Sequence, residues 1–388
     1  MRCLQHNLQN YLFDRVKKYR NKMEGELMKI VTVVGARPQF IKAAVVSHVL
    51  RKKHVEILVH TGQHYDYNMS EQFFRELDIP NPDYNLGISG GTHAQMTGRM
   101  MESIEKVLMK EKPDWLLVYG DTNSTLAAAL AAAKLHIPVC HVEAGARTHS
   151  RTNPEEINRI CTDHVSSLLL ASTKSGYDEM AKEGLQERGL LVGDPMYDAF
   201  IEYSNKLNVS DVELKLLKGG TAKVPNNFYY LTCHREENTN DKDLLEIFKA
   251  TEMLDVPTIY PVHPRNKQRA IRLIKEASFT KLILTEPVGY LESACLVKNA
   301  KKIITDSGGL QREAFYAGKK CVTILDFVCW PETMVYGRNE LSRPVAEEIV
   351  EKLEHEQSVD ETYLPFGDGH SANKIVEALE MYSKGDKE

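Results

Sequence analysis

Residues 29–42 read Lys29-Ile-Val-Thr-Val-Val-Gly-Ala-Arg-Pro-Gln-Phe-Ile-Lys42, and this stretch sets the expectation for the fold. Its apolar, β-branched run predicts a buried strand, and Gly35 predicts a tight turn. Pro38 then marks the first turn of a helix, where its missing N–H costs nothing. A strand that passes through a short glycine turn into a helix is the repeating unit of parallel, doubly wound sheets.

The same alternation of apolar runs and helical patterns continues along the chain in two series. The predicted strands of the first series are Ile30–Val34, Val55–Thr61, Trp115–Gly120, Val139–Val142 and Leu168–Ala171. The predicted strands of the second series are Phe228–Cys233, Thr258–Val262, Leu282–Thr285, Ile303–Thr305 and Val322–Leu325. Strands that alternate with helices predict parallel sheets covered on both faces.

We therefore predict an α/β protein of two Rossmann-like domains whose parallel sheets face a cleft. The predicted domains are residues 28–200 and 201–366, with a loop rich in Gly and Pro from Lys218 to Asn227. Residues 367–388 are predicted to form a C-terminal helix that can cross back to the first domain. Residues 1–27 are basic and polar, and we expect a disordered leader without the apolar segment of a signal peptide.

Composition excludes several classes of protein. The 388 residues are 42% apolar and 27% charged, as in globular proteins, and exceed one ordinary domain. A net charge of −5 argues against nucleic acid as a partner, and no apolar run reaches the length of a membrane span. The seven scattered cysteines contain no C-x-x-C pair and fit reduced thiols. We expect a cytoplasmic protein that binds neither nucleic acid nor membrane.

Two helix starts carry the features of an anion site. Ligands of open parallel sheets bind beyond the carboxyl ends of the strands, near helix N-termini. Arg37 lies there after the first strand, although a solvated turn arginine explains it equally well. Ser307, Gly308 and Gly309 open a helix after Ile303–Thr305, and their amides suit a phosphate better than a plain helix cap. Glu313 lies about one turn further, within reach of ribose hydroxyls.

Ionisable side chains follow other predicted strands. They are Asp121 after Trp115–Gly120, Glu143 after Val139–Val142, Glu155 beside Glu156 at a helix start, and His234 and His263 after two strands of the second series. A single carboxylate or histidine there is often a cap or a structural group. Five at successive strand ends favour one cleft in which carboxylates perform acid–base work and cations hold a diphosphate.

The chain lacks the sequence motifs of three other kinds of site. No G-x-G-x-x-G follows a strand, so we expect no NAD cofactor. H-E-x-x-H and related spacings are missing, so we expect no metal. The chain also lacks the G-x-S-x-G of serine hydrolases.

Several motifs, taken in order, resemble those of the non-hydrolysing UDP-N-acetylglucosamine 2-epimerases. They are Gly35-Ala-Arg-Pro38 with Lys42, Gly120-Asp-Thr122, His141-Val-Glu-Ala-Gly145, Pro154-Glu-Glu-Ile-Asn-Arg159, Thr162-Asp-His164, His234-Arg-Glu236, Pro261-Val-His263 and Thr305-Asp-Ser-Gly-Gly309. The resemblance runs from about Met28 to the C-terminal helix. No single motif is specific, but the ordered set is.

The resemblance implies a GT-B type fold, usually in a homodimer, and interconversion of UDP-GlcNAc and UDP-ManNAc for cell-surface glycans, with neither cofactor nor metal. It also assigns roles by motif. The catalytic residues would be Asp121, Glu143, Glu155 and His234. The residues that hold UDP would be Arg37, His263, Ser307, Gly308, Gly309 and Glu313, and the site would be supported by Lys42 and Arg159.

Chemistry then favours one mechanism. No carbonyl acidifies the proton on C2 of a 2-acetamido sugar, so an enzyme must oxidise a neighbouring carbon or expel the substituent on C1. Without a nicotinamide site we expect anti elimination of UDP to 2-acetamidoglucal and re-addition, with carboxylates on both faces of C2. The sequence does not assign the three carboxylates to the two faces.

The chain departs from the family pattern in three places. Trp330 stands where bacterial members often have arginine. The stretch Thr61–Met69 keeps only part of the motif that is associated with allosteric binding of UDP-GlcNAc. The loop Arg147–Asn153 is shorter than usual. Some of these stretches also resemble epimerases of UDP-2,3-diacetamido-2,3-dideoxyglucuronate. The alternatives are therefore an epimerase of that sugar, a GT-B glycosyltransferase, a UDP-sugar-binding regulator and a hydrolysing epimerase.

Overall fold

The computed structural model describes residues 27–63, 74–150, 152–328 and 330–385, within which the larger sheet has seven parallel strands. These strands are β1 (Lys29–Val34), β2 (Val55–His60), β3 (Tyr84–Asn85), β4 (Trp115–Tyr119), β5 (Val139–Val142), β6 (Leu168–Ala171) and β7 (Gly189–Leu191). Their order in space is β3-β2-β1-β4-β5-β6-β7. The helices described with them are α1 (Arg37–Leu50), α2 (His93–Glu111), α3 (Asn123–Lys134), α4 (Pro154–Val165), α5 (Lys174–Lys182) and α6 (Pro195–Tyr203).

The described part of the second half forms a six-stranded parallel sheet and a small antiparallel hairpin. The hairpin strands are β8 (Glu213–Lys215) and β9 (Thr221–Lys223), and the sheet strands are β10 (Tyr229–Thr232), β11 (Thr258–Pro261), β12 (Leu282–Thr285), β13 (Ile303–Thr305), β14 (Cys321–Thr323) and β15 (Asn339–Leu341). The sheet order is β12-β11-β10-β13-β14-β15. Its helices are α7 (Asp241–Met253), α8 (Lys267–Ala277), α9 (Tyr290–Asn299), α10 (Gly308–Tyr316), α11 (Pro331–Met334) and α12 (Ala346–Glu354).

Side-chain burial explains why these segments form central strands. Every residue of β4, β5 and β6 is buried, as expected for strands covered by helices on both faces. The alanine-rich α3 is a strong helix former, and most of its alanines are fully buried. Small side chains allow this helix to pack close to α2 and β4.

Both sheets reverse their winding direction at a central strand. β1 lies between β2 and β4, and β10 lies between β11 and β13. Connections leave such a strand in opposite directions, which opens a crevice at its carboxyl end where ligands bind. The turn at Gly35 and the turn at Gly120 border the first crevice, and His234 and Ser307 border the second.

The final helix, α13 (Ser371–Gly385), returns to the first domain. It packs on α1 and α6, and Ile375, Val376 and Leu379 are fully buried. Glu380 lies 3.1 Å from the Lys53 ammonium and 3.2 Å from the His54 ring. The crossing anticipated from sequence is therefore present. No helix within the described stretches is both long enough and apolar enough to cross a bilayer.

The predicted fold class is confirmed, and several strands match their predicted bounds to the residue, including β5, β6, β12 and β13. Sequence analysis missed β3, β7, β15 and the hairpin β8–β9, because two or three residues are too few to show periodicity. The limits at residues 200 and 366 stay predictions, and the leader up to residue 26 lies outside the described residues.

Candidate functional site

Gln39 holds together the two turns that border the first crevice. Its side-chain oxygen accepts from the backbone N–H of Gly35 at 2.8 Å and of Ala36 at 3.0 Å. Its amide nitrogen donates to the carbonyl of Tyr119 at 2.7 Å. The turn that carries Arg37 is thereby fixed relative to the turn that carries Asp121, and both side chains project from a buried, fully bonded backbone.

Glu143 lies at the centre of a buried group of charges. It follows β5 with φ +71°, an uncommon conformation for a residue other than glycine, and its side chain is about 10% exposed. Its Oε2 lies 2.6 Å from the Lys42 ammonium and 2.8 Å from the Arg312 guanidinium. Burial alone would raise the pKa of Glu143, but the two cations outweigh burial and hold this pKa well below its usual range.

Arg312 connects the two domains. It lies on α10 in the second domain, whereas its partners Glu143 and Asp194 belong to the first. Its Nη1 lies 2.6 Å from Asp194 Oδ2, and its guanidinium stacks on the Trp330 ring at 4.1 Å from the ring centroid. The Tyr316 hydroxyl also donates to Asp194 Oδ2, at 2.8 Å. A pair this buried is costly to break by removing one member.

Asp121 and the two glutamates of α4 have different surroundings. Asp121 Oδ2 lies 2.5 Å from Arg159 Nη2. Glu156 is buried and accepts from the backbone N–H groups of Thr148 and His149, so its role is to hold that loop. The carboxylate of Glu155 is exposed and has no hydrogen bond or ion pair with any described residue.

A buried histidine supports the turn before Asp121. His141 Nε2 lies 2.7 Å from the carbonyl of Gly120, and its Nδ1 lies 2.7 Å from Asp163 Oδ1. Both distances are those of hydrogen bonds, so the ring ties the Gly120 carbonyl to Asp163. Asp163 also pairs with the Arg147 guanidinium at 2.7 Å.

In the second crevice, Asp306 orients His234. Asp306 is fully buried, and its Oδ2 accepts from the backbone N–H of His234 and of Arg235, both at 2.8 Å. Its Oδ1 lies 3.2 Å from His234 Nδ1, so a negative charge faces the ring. The His263 ring is stacked 6.2 Å from that of His234. Burial, and then the charges of His234 and Arg265, lower the pKa of His263.

Ser307 caps α10, since its hydroxyl accepts from the Leu310 N–H at 3.4 Å, and its predicted role in phosphate binding stays a prediction. A Cβ atom added at Gly309 would meet only Ser307 Oγ, at 3.6 Å, so the space beside this first turn is open. Free amides at the start of a helix beside open space are suited to an anion.

Glu313 faces Arg37 across the cleft. Burial raises the pKa of Glu313 to about 7, although Arg37 and Arg312 act in the opposite direction. Burial likewise lowers the pKa of Arg37, and Glu313 is the largest opposing charge. The cation that follows β1 therefore reaches the helix whose first turn is Ser307–Gly309.

The structure thus brings some of the predicted residues together. Lys42 contacts Glu143, Arg159 contacts Asp121, and the charge of Arg37 acts on the pKa of Glu313. It connects Glu155 to none of them. Convergence of all the predicted side chains on one substrate stays a prediction, and residues 64–69 of the Thr61–Met69 stretch lie outside the described residues.

Sequence analysis missed Arg312, Asp194 and Asp306. Arg312 immediately precedes Glu313. Two adjacent charged residues within a helix that is otherwise largely apolar were the signal that could have identified it. Asp194 precedes Pro195 and was indistinguishable from an ordinary helix cap. It is one, because its Oδ1 accepts from the Met196 N–H at 2.9 Å, while Oδ2 binds Arg312.

Comparisons with known proteins identify relatives over most of the chain. A UDP-N-acetylglucosamine 2-epimerase family model matches residues 48–380. A UDP-2,3-diacetamido-2,3-dideoxy-D-glucuronate 2-epimerase from Pseudomonas aeruginosa is 43% identical over 91% of this chain and 99% of its own. A UDP-N-acetylglucosamine 2-epimerase from Methanococcus maripaludis is 42% identical over 90% and 98%.

The fold agrees as well. The crystal structure of UDP-GlcNAc 2-epimerase from Methanocaldococcus jannaschii, in complex with UDP-GlcNAc and UDP, has a TM-score of 0.80 and 39% identity, covering 91% of this chain and all of that one. The family model covers most of the chain, and the two parallel sheets of this chain match the fold of that crystal structure. The chain therefore belongs to the UDP-N-acetylglucosamine 2-epimerase family, isomerases built on a GT-B type fold.

Proposed function

We propose that the chain interconverts UDP-GlcNAc and UDP-ManNAc by inverting C2 of the sugar. The observation that carries the proposal is the buried contact between Glu143 and two cations, one from each domain. It fixes an ionised carboxylate beside the helix whose N-terminus is suited to a diphosphate. A relative solved with UDP-GlcNAc and UDP bound supports the substrate class.

UDP would bind mainly to the second domain. Its diphosphate would accept from the first amides of α10, with Arg37 and His263 beside it. Glu313 would accept from the ribose hydroxyls. Arg37 and Glu313 lie on facing domains, so the nucleotide would bridge the cleft and help keep it closed.

His234 would assist the departure of UDP. The Asp306 carboxylate lies 3.2 Å from Nδ1 and holds this ring in position. A positive charge there would stabilise the negative charge that develops on the leaving phosphate. Because His263 has a lowered pKa, it would remain neutral and act as a hydrogen-bond partner.

The three carboxylates would divide the proton transfers according to their partners. Glu143 has two cations, which favour its ionised form and make it a weak base, so we assign it the role of a fixed anion near C1. Asp121 has one cation, and Glu155 has none among the described residues. We therefore assign the two faces of C2 to Asp121 and Glu155.

The proposed reaction is an elimination followed by an addition. One carboxylate takes the C2 proton while the C1–O bond to UDP breaks, which gives 2-acetamidoglucal, UDP and a protonated carboxyl. The other carboxyl, which starts protonated, then delivers its proton to the opposite face of C2 and is left ionised. UDP re-forms the C1–O bond on the face that it left, and exchange of protons with water restores the two carboxyl groups. Atoms and charge balance without an oxidant.

UDP-2,3-diacetamido-2,3-dideoxyglucuronate is the second candidate substrate. A relative named for that sugar is 43% identical, whereas the UDP-GlcNAc relative from Methanococcus maripaludis is 42% identical. Overall identity does not discriminate between the two. The proposed chemistry at C2 is the same in both cases.

The proposal includes a cytoplasmic homodimer that supplies precursors for cell-surface glycans. Light scattering of the purified protein measures the mass, and a value of one chain at working concentration would contradict the dimer.

Proton NMR of UDP-GlcNAc with the enzyme in deuterated water tests the central proposal. We expect UDP-ManNAc to appear with deuterium at C2, in the absence of any acceptor sugar. The diacetamido uronate, run in parallel, identifies the preferred substrate. Epimerised product that retains its C2 hydrogen would overturn the elimination, and no turnover of either sugar would overturn the proposed function.

A further inference from the structure

A cavity of about 350 Å³ lies at the C-terminal end of α10, away from its nucleotide end. Its walls come from α6, from the end of α10 and from the loop after α12. The residues that matter here are Tyr197, Phe315, Tyr316, Arg338, Tyr363 and Phe366. α10 has nine residues, so about 13 Å separates this cavity from Ser307–Gly309. The two sites are therefore distinct.

Arg338 lines this cavity with a guanidinium that is almost unpartnered. The residue is 6% exposed. Its guanidinium lies 3.9 Å from the centroid of the Phe315 ring and donates one hydrogen bond, from Nη2 to the Phe315 carbonyl. Its Nε is buried with no partner, and no carboxylate of the described residues lies within the 4.0 Å of an ion pair.

The other lysines and arginines that are buried within the described stretches each pair with a carboxylate. Lys42 pairs with Glu143, Lys320 with Glu340, and Arg312 with two acids. Arg338 departs from this pattern although it is similarly buried. An arginine does not lose its proton in proteins, so the uncompensated charge is energetically costly.

The acidic residues at the rim do not supply the missing charge. Asp360 and Glu361 also line the cavity, but Asp360 faces the Tyr336 hydroxyl at 3.2 Å and Glu361 is exposed. Burial lowers the pKa of Arg338, and Tyr197 is the neighbour that acts against this effect. The cavity therefore presents a positive donor inside and aromatic rings around it.

We propose that this cavity is a second binding site, for a small organic acid whose oxyanion pairs with Arg338 and whose aromatic or apolar body packs among the surrounding rings. The volume is within the range of small-molecule sites. A carboxylate and a phosphate share the required chemistry, because both accept hydrogen bonds from a guanidinium in the same plane.

Calorimetric titration with three probes tests the site. Phenylacetate and phenyl phosphate carry the oxyanion, and phenylacetamide is the neutral control of the same shape. We expect saturable binding of at least one acid, with and without saturating UDP, and binding of the amide at least tenfold weaker. The better acid identifies the anion. Equal binding of acid and amide, or no binding of either acid, would overturn the proposal.

Arg338→Met tests the role of the guanidinium. The variant should bind the preferred acid at least tenfold more weakly, whereas Arg343→Met, which removes an arginine with a 79% exposed side chain, should bind as wild type does. Arg338→Met should also be at least as thermostable as wild type, since it removes an unpaired buried charge. Unchanged affinity would refute the site. Should this variant not fold, the comparison of acid with amide on wild type decides.

Discussion

Replacement of Arg312 by methionine would remove the side chain of the second domain that binds both Glu143 and Asp194 of the first. Methionine is unbranched and shorter than arginine, so it would keep part of the apolar packing on Trp330 but would carry no charge. Glu143 would keep Lys42 as its partner, at 2.6 Å. Asp194, which is fully buried, would keep only the Tyr316 hydroxyl as a side-chain donor among the described residues.

Breaking a buried pair by deleting one member costs about 3–5 kcal/mol, because a buried charge is left uncompensated. At about 2–4 °C per kcal/mol, the unfolding temperature should fall by about 6–20 °C. Arg343→Met is the matched control, since Arg343 pairs with Glu348 at 2.9 Å while its side chain is 79% exposed. An exposed pair of this kind contributes about 0–1 kcal/mol.

The pH dependence should change as well. A depressed carboxyl pKa stabilises the fold above the unfolded pKa of about 4.3, and this contribution is lost as the pH falls through the folded pKa. Arg312 helps to depress the pKa of Glu143. Without Arg312, the folded pKa of Glu143 should lie closer to the unfolded value, so the loss on acidification should be smaller and should end at a higher pH.

Scanning calorimetry of wild type and both variants, at pH 7.5 and in steps down to pH 3, measures these effects. The double variant Arg312→Met with Glu143→Gln should lose less stability than the two single variants summed, because the two residues share one interaction. If Arg312→Met were no less stable than Arg343→Met, or if the single losses added, the interdomain pair would not have the role assigned to it. Turnover should fall about 10²-fold through misplacement of Glu143.

Three further predictions concern single carboxylates. Asp121→Asn should leave folding and UDP affinity nearly unchanged and greatly reduce epimerisation, as measured by titration calorimetry and NMR; near-normal turnover would remove Asp121 from the mechanism. Glu155→Gln should lose turnover at unchanged stability. Glu156→Gln should lose about 1–3 kcal/mol of stability, because the backbone N–H groups that donate to Glu156 are left poorly paired. The reverse pattern would exchange the roles of the two residues. The folded pKa of Glu313, about 7, lies above its unfolded value, so its neutral form stabilises the fold at low pH. As the pH rises from ~4.3 to 7, the free energy of unfolding of wild type should fall by up to about 4 kcal/mol relative to that of Glu313→Gln. A difference that stays constant between pH 5 and pH 8 would contradict this.

The sequence predicted the fold and supplied candidate residues for the site because both depend on local signals. Strands such as Leu168–Ala171 are apolar throughout and end at recognisable turns, so type and position follow from periodicity. Arg37, Asp121, Glu143 and Ser307 were found because they directly follow strands. Parallel strands bring their carboxyl ends to one edge, which converts position in sequence into position in space.

The parts that the sequence did not predict depend on contacts between distant segments. Arg312 and Asp194 are 118 residues apart, and no local pattern relates them. Asp163 and His141 were both in recognised motifs, yet their pairing, and the support it gives to the Gly120 carbonyl, required the coordinates. The contrast between Glu155 and Glu156 arises from which face of α4 packs on the loop at Thr148, which two adjacent identical residues do not reveal.

The path of the last helix limits how this enzyme can be divided. Because α13 covers α1 with fully buried Ile375, Val376 and Leu379, a fragment that stops near residue 200 would expose that apolar surface to water. Such a fragment should aggregate unless residues 371–385 are supplied as a separate peptide. Separate expression of the two lobes would therefore leave the first lobe without the helix that covers α1.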